Sequence, residues 1–256
     1  MTEKYKAPIV SKAFQVLRLI SRNPRGIKLS HLAQELGFGK STVSGITSAL
    51  EEVGAVIRDP RTKHYTLGVT LFELGRSAYA RIDLKDVARP YLEDLMDDTR
   101  ESVFLGIRNV EHVTILDIVE SNQDLKITSP VGTTLPILAG ATGKVFLAAM
   151  TDDQAARIVH DRGLPRFTER SIVDPARYLK ELHDVQINGF ATDDEEYISG
   201  VRAVAAPIKA ADQPLSAIWI VGFKPRMSDD KMKQLVDQTK SAAEAISRQI
   251  GILGSG

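Results

Sequence analysis

Two stretches of this chain invite a chemical reading on residue type alone. Asp193-Asp194-Glu195-Glu196 sets four carboxylates in a row ahead of Gly200. A divalent cation wants several oxygens converging on one point. Chain neighbours diverge and no partner set accompanies them, so a capping or solvated acidic loop fits better than a metal site. Gly140-Ala141-Thr142-Gly143-Lys144 resembles a phosphate loop but lacks two of its parts. Leu138 stands where the first glycine is needed, and Val145 where a hydroxyl should follow the lysine. What remains is a glycine turn onto a helix N-terminus, whose free N–H groups suit a carboxylate or another acceptor. A helix start with no ligand gives the same pattern. The histidines (His31, His64, His112, His160, His183) show no ligand spacing. No serine sits in a Gly-x-Ser-x-Gly elbow, and there is no cysteine to act as nucleophile or zinc ligand. The expectation is a protein that is not an enzyme, with no cofactor and no metal.

A third stretch offers recognition rather than reaction. Between Leu29 and Glu52, Leu29, Leu32, Ala33 and Leu36 recur at helical spacing, as do Val43, Ile46, Leu50 and Val53, with Gly37-Phe38-Gly39 between them. Two short helices around a tight turn are the pattern of a helix-turn-helix, whose second helix enters the DNA major groove. The outward positions of that helix are expected to be Lys40, Ser41, Ser44, Gly45, Thr47 and Ser48, with Thr42 beside them. Short polar groups of this kind reach base edges and phosphates. A helical hairpin with a solvated Ser/Thr face fits the same residues.

The elements around it sharpen the choice. Val10 to Arg22 reads as an amphipathic helix burying Val10, Phe14, Leu17 and Ile20, ended by Asn23-Pro24-Arg25-Gly26. After the second helix, strand-like Ala55–Ile57 and His64–Leu67 flank a turn within Arg58–Lys63. This is a basic hairpin, a wing, placing Arg58, Arg61, Lys63 and His64 toward phosphates or the minor groove. Net charge is zero but unevenly spread: residues 1–76 hold 12 Lys/Arg against 6 Asp/Glu, and the rest 21 against 27. A basic first third beside such a motif points to double-stranded DNA as partner.

At 256 residues the chain has room for about two domains. It shows no membrane span and no secretory signal, and its lack of cysteine fits a reducing cytoplasm. Leu71, Leu74, Ala78 and Ile82 form a narrow stripe on a linker helix with an expected role in a homodimer. A helix over 86–100 follows, then strands over Val103–Arg108, Val113–Glu120 and Leu125–Ser129, with a turn at 109–112. Helices are expected within Leu138–Met150, Asp152–Arg162 and Pro175–Gln186. Strands Arg202–Ala210 and Ser216–Phe223, joined by residues 211–214, precede a closing helix from Ser228 to Ile250. The last strand is apolar on both faces, so both should be covered, one by helices and the other by helices or a ligand cavity. The tail Gly254-Ser255-Gly256 is given no structural weight.

Taken together, five stretches resemble the IclR-type bacterial transcriptional regulators over nearly the whole length. They are Leu32-Ala-Gln-Glu-Leu-Gly37 with Lys40-Ser-Thr-Val43; Tyr65-Thr-Leu-Gly68; Gly132 through Pro136; Gly143-Lys-Val-Phe-Leu-Ala148; and Asp194-Glu-Glu-Tyr-Ile-Ser-Gly200 followed by Ala205-Ala-Pro207. The resemblance implies an α+β two-domain chain. Its parts are a winged helix-turn-helix over 1–70, a linker helix over 71–85 and a GAF-like effector domain, an antiparallel sheet flanked by helices, over 86–253. It implies homodimers, often paired into tetramers, and control of a catabolic operon by a small organic effector. Carried over, the effector pocket would be lined by Ile127, Leu135, Leu138, Ala141, Thr142, Asp193, Val201, Ala203, Trp219 and Val221. The chain departs from the common pattern at several of these. Leu138 replaces a usual histidine, Ala203 a cysteine, Trp219 and Val221 two serines, and Gly45 an arginine of the recognition helix. With those donors gone, the expected effector is larger or more apolar than glyoxylate or pyruvate, such as an aromatic acid. Trp219 either stacks on it or fills the pocket as core, which would leave a constitutive DNA-binding protein. A small-molecule sensor or enzyme domain is the third reading, and the nucleophile–base pair or metal set that an enzyme would need is not visible.

Overall fold

The computed structural model describes residues 7–79, 84–109, 112–209 and 215–253. The chain divides into two compact units, 1–82 and 83–256.

The first unit runs α1 (Pro8–Ser21), β1 (Ile27–Lys28), α2 (Leu29–Leu36), α3 (Lys40–Glu52), β2 (Val56–Arg58), β3 (His64–Leu67) and α4 (Val69–Tyr79). Val16, Leu19 and Ile20 of α1 pack with Leu32, Ala33, Val43, Ile46, Val56 and Tyr65. Gly37 ends α2 in the left-handed conformation that favours glycine, which turns the chain sharply into α3. The three strands are antiparallel in the order β1-β3-β2. Two expectations on α1 are corrected. Val10 and Phe14 are 53% and 58% exposed, and Val16 and Leu19 take the inward places. Apolar residues occur on both flanks of this helix, and packing against α3 selects one. On α4, Leu74 is 62% exposed rather than packed on its own unit. Ile82 and the side chain of Ala78 lie outside the described residues.

The second unit runs α5 (Leu84–Thr99), β4 (Ser102–Arg108), β5 (His112–Val119), β6 (Thr134–Pro136), α6 (Gly140–Ala148), α7 (Asp152–Arg162), α8 (Pro175–Asn188), β7 (Ala191–Asp194), β8 (Val201–Ile208), β9 (Ser216–Phe223) and α9 (Asp229–Leu253). Its six strands pair antiparallel in the order β6-β5-β4-β9-β8-β7. Helices α5 and α9 cover one face, and α6 lies on the other. The expected strand over Leu125–Ser129 is irregular chain instead, and β6 holds the sheet edge. The linking turn at 211–214 and residues 110–111 are outside the described residues. No helix among the described residues is long and apolar enough to cross a membrane.

Candidate functional site

Two places gather the residues singled out above. The first is the outer face of α3 and the wing. Lys40, Ser41, Ser44, Gly45 and Ser48 are exposed, Thr42 is half-buried, and Val43 and Ile46 face the core. Thr47 does not share the outer face. It is 1% exposed, and its hydroxyl donates to Val43 O at 2.9 Å and Ser44 O at 3.1 Å. A threonine that satisfies its own hydroxyl within the helix can be buried at small cost, which its polarity in the sequence does not reveal. Gly45 lies mid-helix without the positive φ that would demand glycine, and a Cβ there would meet nothing within 4 Å. An interior glycine weakens a helix by about 1 kcal/mol relative to alanine.

The wing turn is built by Asp59. Its Oδ1 accepts the N–H of Arg61 at 2.8 Å and of Thr62 at 2.7 Å, and Lys63 adopts φ 60°. The N–H groups of Thr62 and Arg61 hold the Asp59 carboxyl below the ordinary carboxylate range. Arg58, Arg61 and Lys63 are exposed, and His64 is half-buried. The Arg58 guanidinium lies 5.7 Å from the Tyr65 ring centre. Among the described residues, none of Lys40, Arg58, Arg61 and Lys63 is in an ion pair.

The second place is a cavity of about 320 Å³ against the sheet face that carries α6. Asp193, Ala203 and Val221 are cross-strand neighbours on β7, β8 and β9, as are Phe104 and Trp219 on β4 and β9. Each row turns its side chains to the cavity. The Trp219 ring stacks on Phe104 with centroids 5.4 Å apart and planes 4° from parallel. It also lies over Gly106, where a Cβ would meet its Cη2 at 2.8 Å. Glycine is required there so that the indole can lie flat on the sheet. With the indole in that place, the cavity remains.

Of the expected lining, Ile127, Leu135, Ala141, Thr142, Asp193, Val201, Ala203, Trp219 and Val221 border the cavity. Leu138 does not. It is buried beside Tyr178, Ile172 and Glu196, next to a separate small void, while the following Ala139 and Gly140 border the cavity. Phe104, Ile115, Thr128, Thr133, Thr134 and Tyr197 also line the cavity and were not foreseen. The strand pattern that puts Phe104 on the same face as Trp219 was available in the sequence. Thr128, Thr133 and Tyr197 come from loops and Thr134 from the short edge strand β6, and no periodicity announces them.

Helix α6 presents its N-terminus here. Ala139 makes no side-chain cap, and the first N–H groups of a helix have no intrahelical partner. Gly140 adopts φ 49°, and a Cβ would overlap the Asp193 carboxylate. Among the described residues, Asp193 is the one lining residue with an ionisable carboxylate. Its Oδ1 accepts Glu196 N–H at 2.6 Å. Burial pushes its pKa above the ordinary value, outweighing the lowering by that N–H and by the Lys144 charge.

The four-carboxylate stretch is not a solvated loop. Asp193 and Asp194 end β7 and point opposite ways. Asp194 pairs with Arg202, Lys224 and Arg170, and Glu195 with Lys224 and Arg170. Arg202 and Lys224 hold the Asp194 carboxyl below its ordinary range, and Lys224 does the same for Glu195. Glu196 turns inward to Lys144, whose Nζ lies 2.6 Å from both Glu196 and Glu181 and donates to Thr192 O at 3.2 Å. Burial raises Glu196, partly offset by Lys144. The lysine that mimics a phosphate loop is thus a buried strut.

Comparison with known proteins agrees with this arrangement. The helix-turn-helix domain of IclR matches residues 9–60, and the C-terminal domain of bacterial IclR transcriptional regulators matches residues 76–248. The regulator BhcR of Paracoccus denitrificans is 32% identical, over 93% of this chain and 85% of its own length. The transcriptional repressor IclR of Escherichia coli is 26% identical, over 94% and 89%. The crystal structure of an IclR-type regulator from Silicibacter sp. TM1040 superposes with TM-score 0.85 at 25% identity, covering 95% of this chain and 96% of that one. These relatives are regulators of transcription, not enzymes, and the chain belongs to the IclR family of transcriptional regulators.

Proposed function

We propose that this regulator binds its operator as a homodimer through α3 and the wing, and that a small aromatic or apolar acid in the second unit shifts that binding. The genes controlled would be those for breakdown of the acid. The observation that carries the ligand reading is the cavity of about 320 Å³ that remains with Trp219 in place. It falls at the small end of the ~300–1,000 Å³ typical of small-molecule sites. A protein whose indole filled its pocket would have no such space. Phe104, Ile115, Ile127, Leu135, Val201, Trp219 and Val221 give an apolar and partly aromatic wall. The N–H groups at the start of α6 suit the ligand carboxylate. Among the described residues, no lysine, arginine or histidine lines the cavity. An acid bound there sits near Asp193, and one proton shared between the two carboxyl groups removes their repulsion. The DNA reading is supported by the family match over residues 9–60 and by the exposed cations Lys40, Arg58, Arg61 and Lys63, which make no ion pair among the described residues.

The test is fluorescence anisotropy on duplexes tiled across the upstream intergenic DNA, with benzoate or pyruvate added. Trp219 emission is followed in parallel, since it is the only tryptophan. The expected outcome is one preferred duplex, whose affinity benzoate shifts by about 5- to 150-fold while altering Trp219 emission. Pyruvate leaves both unchanged. A response to pyruvate with benzoate inert would overturn the ligand class. Absence of any preferred duplex would overturn the DNA reading.

A further inference from the structure

Among the described residues, nothing packs against Gly45. It sits in the interior of a 13-residue helix, in a conformation that any residue adopts, with open space where a Cβ would be. The contrast is with Gly106 and Gly68, where a Cβ would meet an indole or a neighbouring backbone. The glycine therefore weakens α3 and gains no packing or turn in exchange. Its surroundings are the exposed Ser44 beside it and Ser41 and Ser48 one turn before and after it on the same face. The helix-turn-helix match supplies DNA as the partner for this unit.

We infer that Gly45 is a specificity-determining position. It lets the backbone of α3 come against the floor of the major groove, where its Cα packs on the C5-methyl group of one thymine in each half-site, between Ser44 and Ser48. The C5-methyl is the apolar feature that distinguishes thymine in that groove. A β-carbon at position 45 would occupy the space of that methyl. The inference rests on the reading of α3 as the groove-facing helix.

The experiment uses the full chain and a duplex that the wild type itself selects from a random pool. Gly45→Ala is expected to melt at or above the wild-type temperature, since alanine favours the helix. It should bind the selected duplex at least about 5-fold more weakly, as an overpacked contact does. Thymines are then replaced by deoxyuridine one at a time. At one position per half-site the loss of a methyl costs the wild type about 4-fold, and the same replacement restores binding by Gly45→Ala. A variant that binds the selected duplex as tightly as the wild type overturns the inference. So does a loss that no deoxyuridine restores. Lys40→Ala, measured alongside, separates the two levels. If it too leaves affinity unchanged, the groove reading falls with the inference; if it weakens binding while Gly45→Ala does not, only the inference falls.

Discussion

The two units treat charge in opposite ways. In the second unit, buried charges are answered by partners. Asp117 faces Lys85 and Arg89, Glu101 faces Arg226 and Lys231, and Lys144 faces Glu181 and Glu196. In the first unit, Lys40, Arg58, Arg61 and Lys63 stand exposed and outside any ion pair among the described residues. The exception in the second unit is Asp193, 5% exposed and likewise in no ion pair. The lesson is that paired charge holds this structure together, and unpaired charge marks where something else is expected to bind. An unpaired buried carboxylate is costly unless hydrogen bonds or a proton relieve it, so its persistence at a cavity wall is informative.

The largest effect should come from the paired side. Lys144→Ala leaves Glu196 buried beside Asp193 without a cation. It is expected to cost about 3–5 kcal/mol, seen as a large fall in the denaturant midpoint of the second unit. A variant as stable as the wild type would break the assignment of Lys144 as a strut. The unpaired side predicts the reverse pattern. Arg61→Ala should leave stability within about 0.5 kcal/mol. It should weaken binding to all DNA sequences and reduce the slope of log affinity against log salt by about one. An unchanged slope would remove Arg61 from the phosphate contacts.

The smallest and sharpest test concerns Asp193. Its pKa is raised above 3.8 by burial, so the folded protein holds a proton that the unfolded chain has already lost. Stability from this group is therefore highest at low pH and falls as pH climbs from 3.8 through the raised value. Benzoate binding should weaken over the same rise, because the shared proton is lost. In Asp193→Asn the amide keeps an acceptor for Glu196 N–H and adds a donor, so affinity should become flat in pH. Isothermal titration across the range decides it. A wild-type affinity that is itself flat would place the ligand carboxylate away from Asp193.

Much of this was legible in the sequence, for reasons that differ by element. Helices α2 and α3 were readable because Leu32, Ala33, Val43 and Ile46 fill a small core with strict spacing. The tilt of α1 was not, because Phe14 and Val16 offer two apolar flanks and only tertiary packing chooses. Thr47 misled because its hydroxyl bonds within its own helix. In the cavity, Asp193, Val201, Ala203, Trp219 and Val221 of β7, β8 and β9 were foreseen through the family resemblance. Phe104 and Ile115 of β4 and β5 were not, and Thr128, Thr133 and Tyr197 depend on loop paths that no period encodes. Leu138 was carried over from the resemblance at a position where the family has a polar histidine; as a leucine it packs instead into the core beside Tyr178 and Ile172.

The alternation at the end of β7 has a consequence for how this protein can change over time. Asp193 looks into the cavity, Asp194 into the Arg202–Lys224–Arg170 lattice, and Glu196 back toward Lys144. All are acids, so point exchanges between Asp and Glu preserve the charge map roughly. Loss or gain of a single residue within β7 ahead of Asp193 would exchange the inward and outward places of Asp193 and Asp194. The segment should therefore drift readily by substitution and almost never by length. Effector preference can diversify around it while its residue count stays fixed.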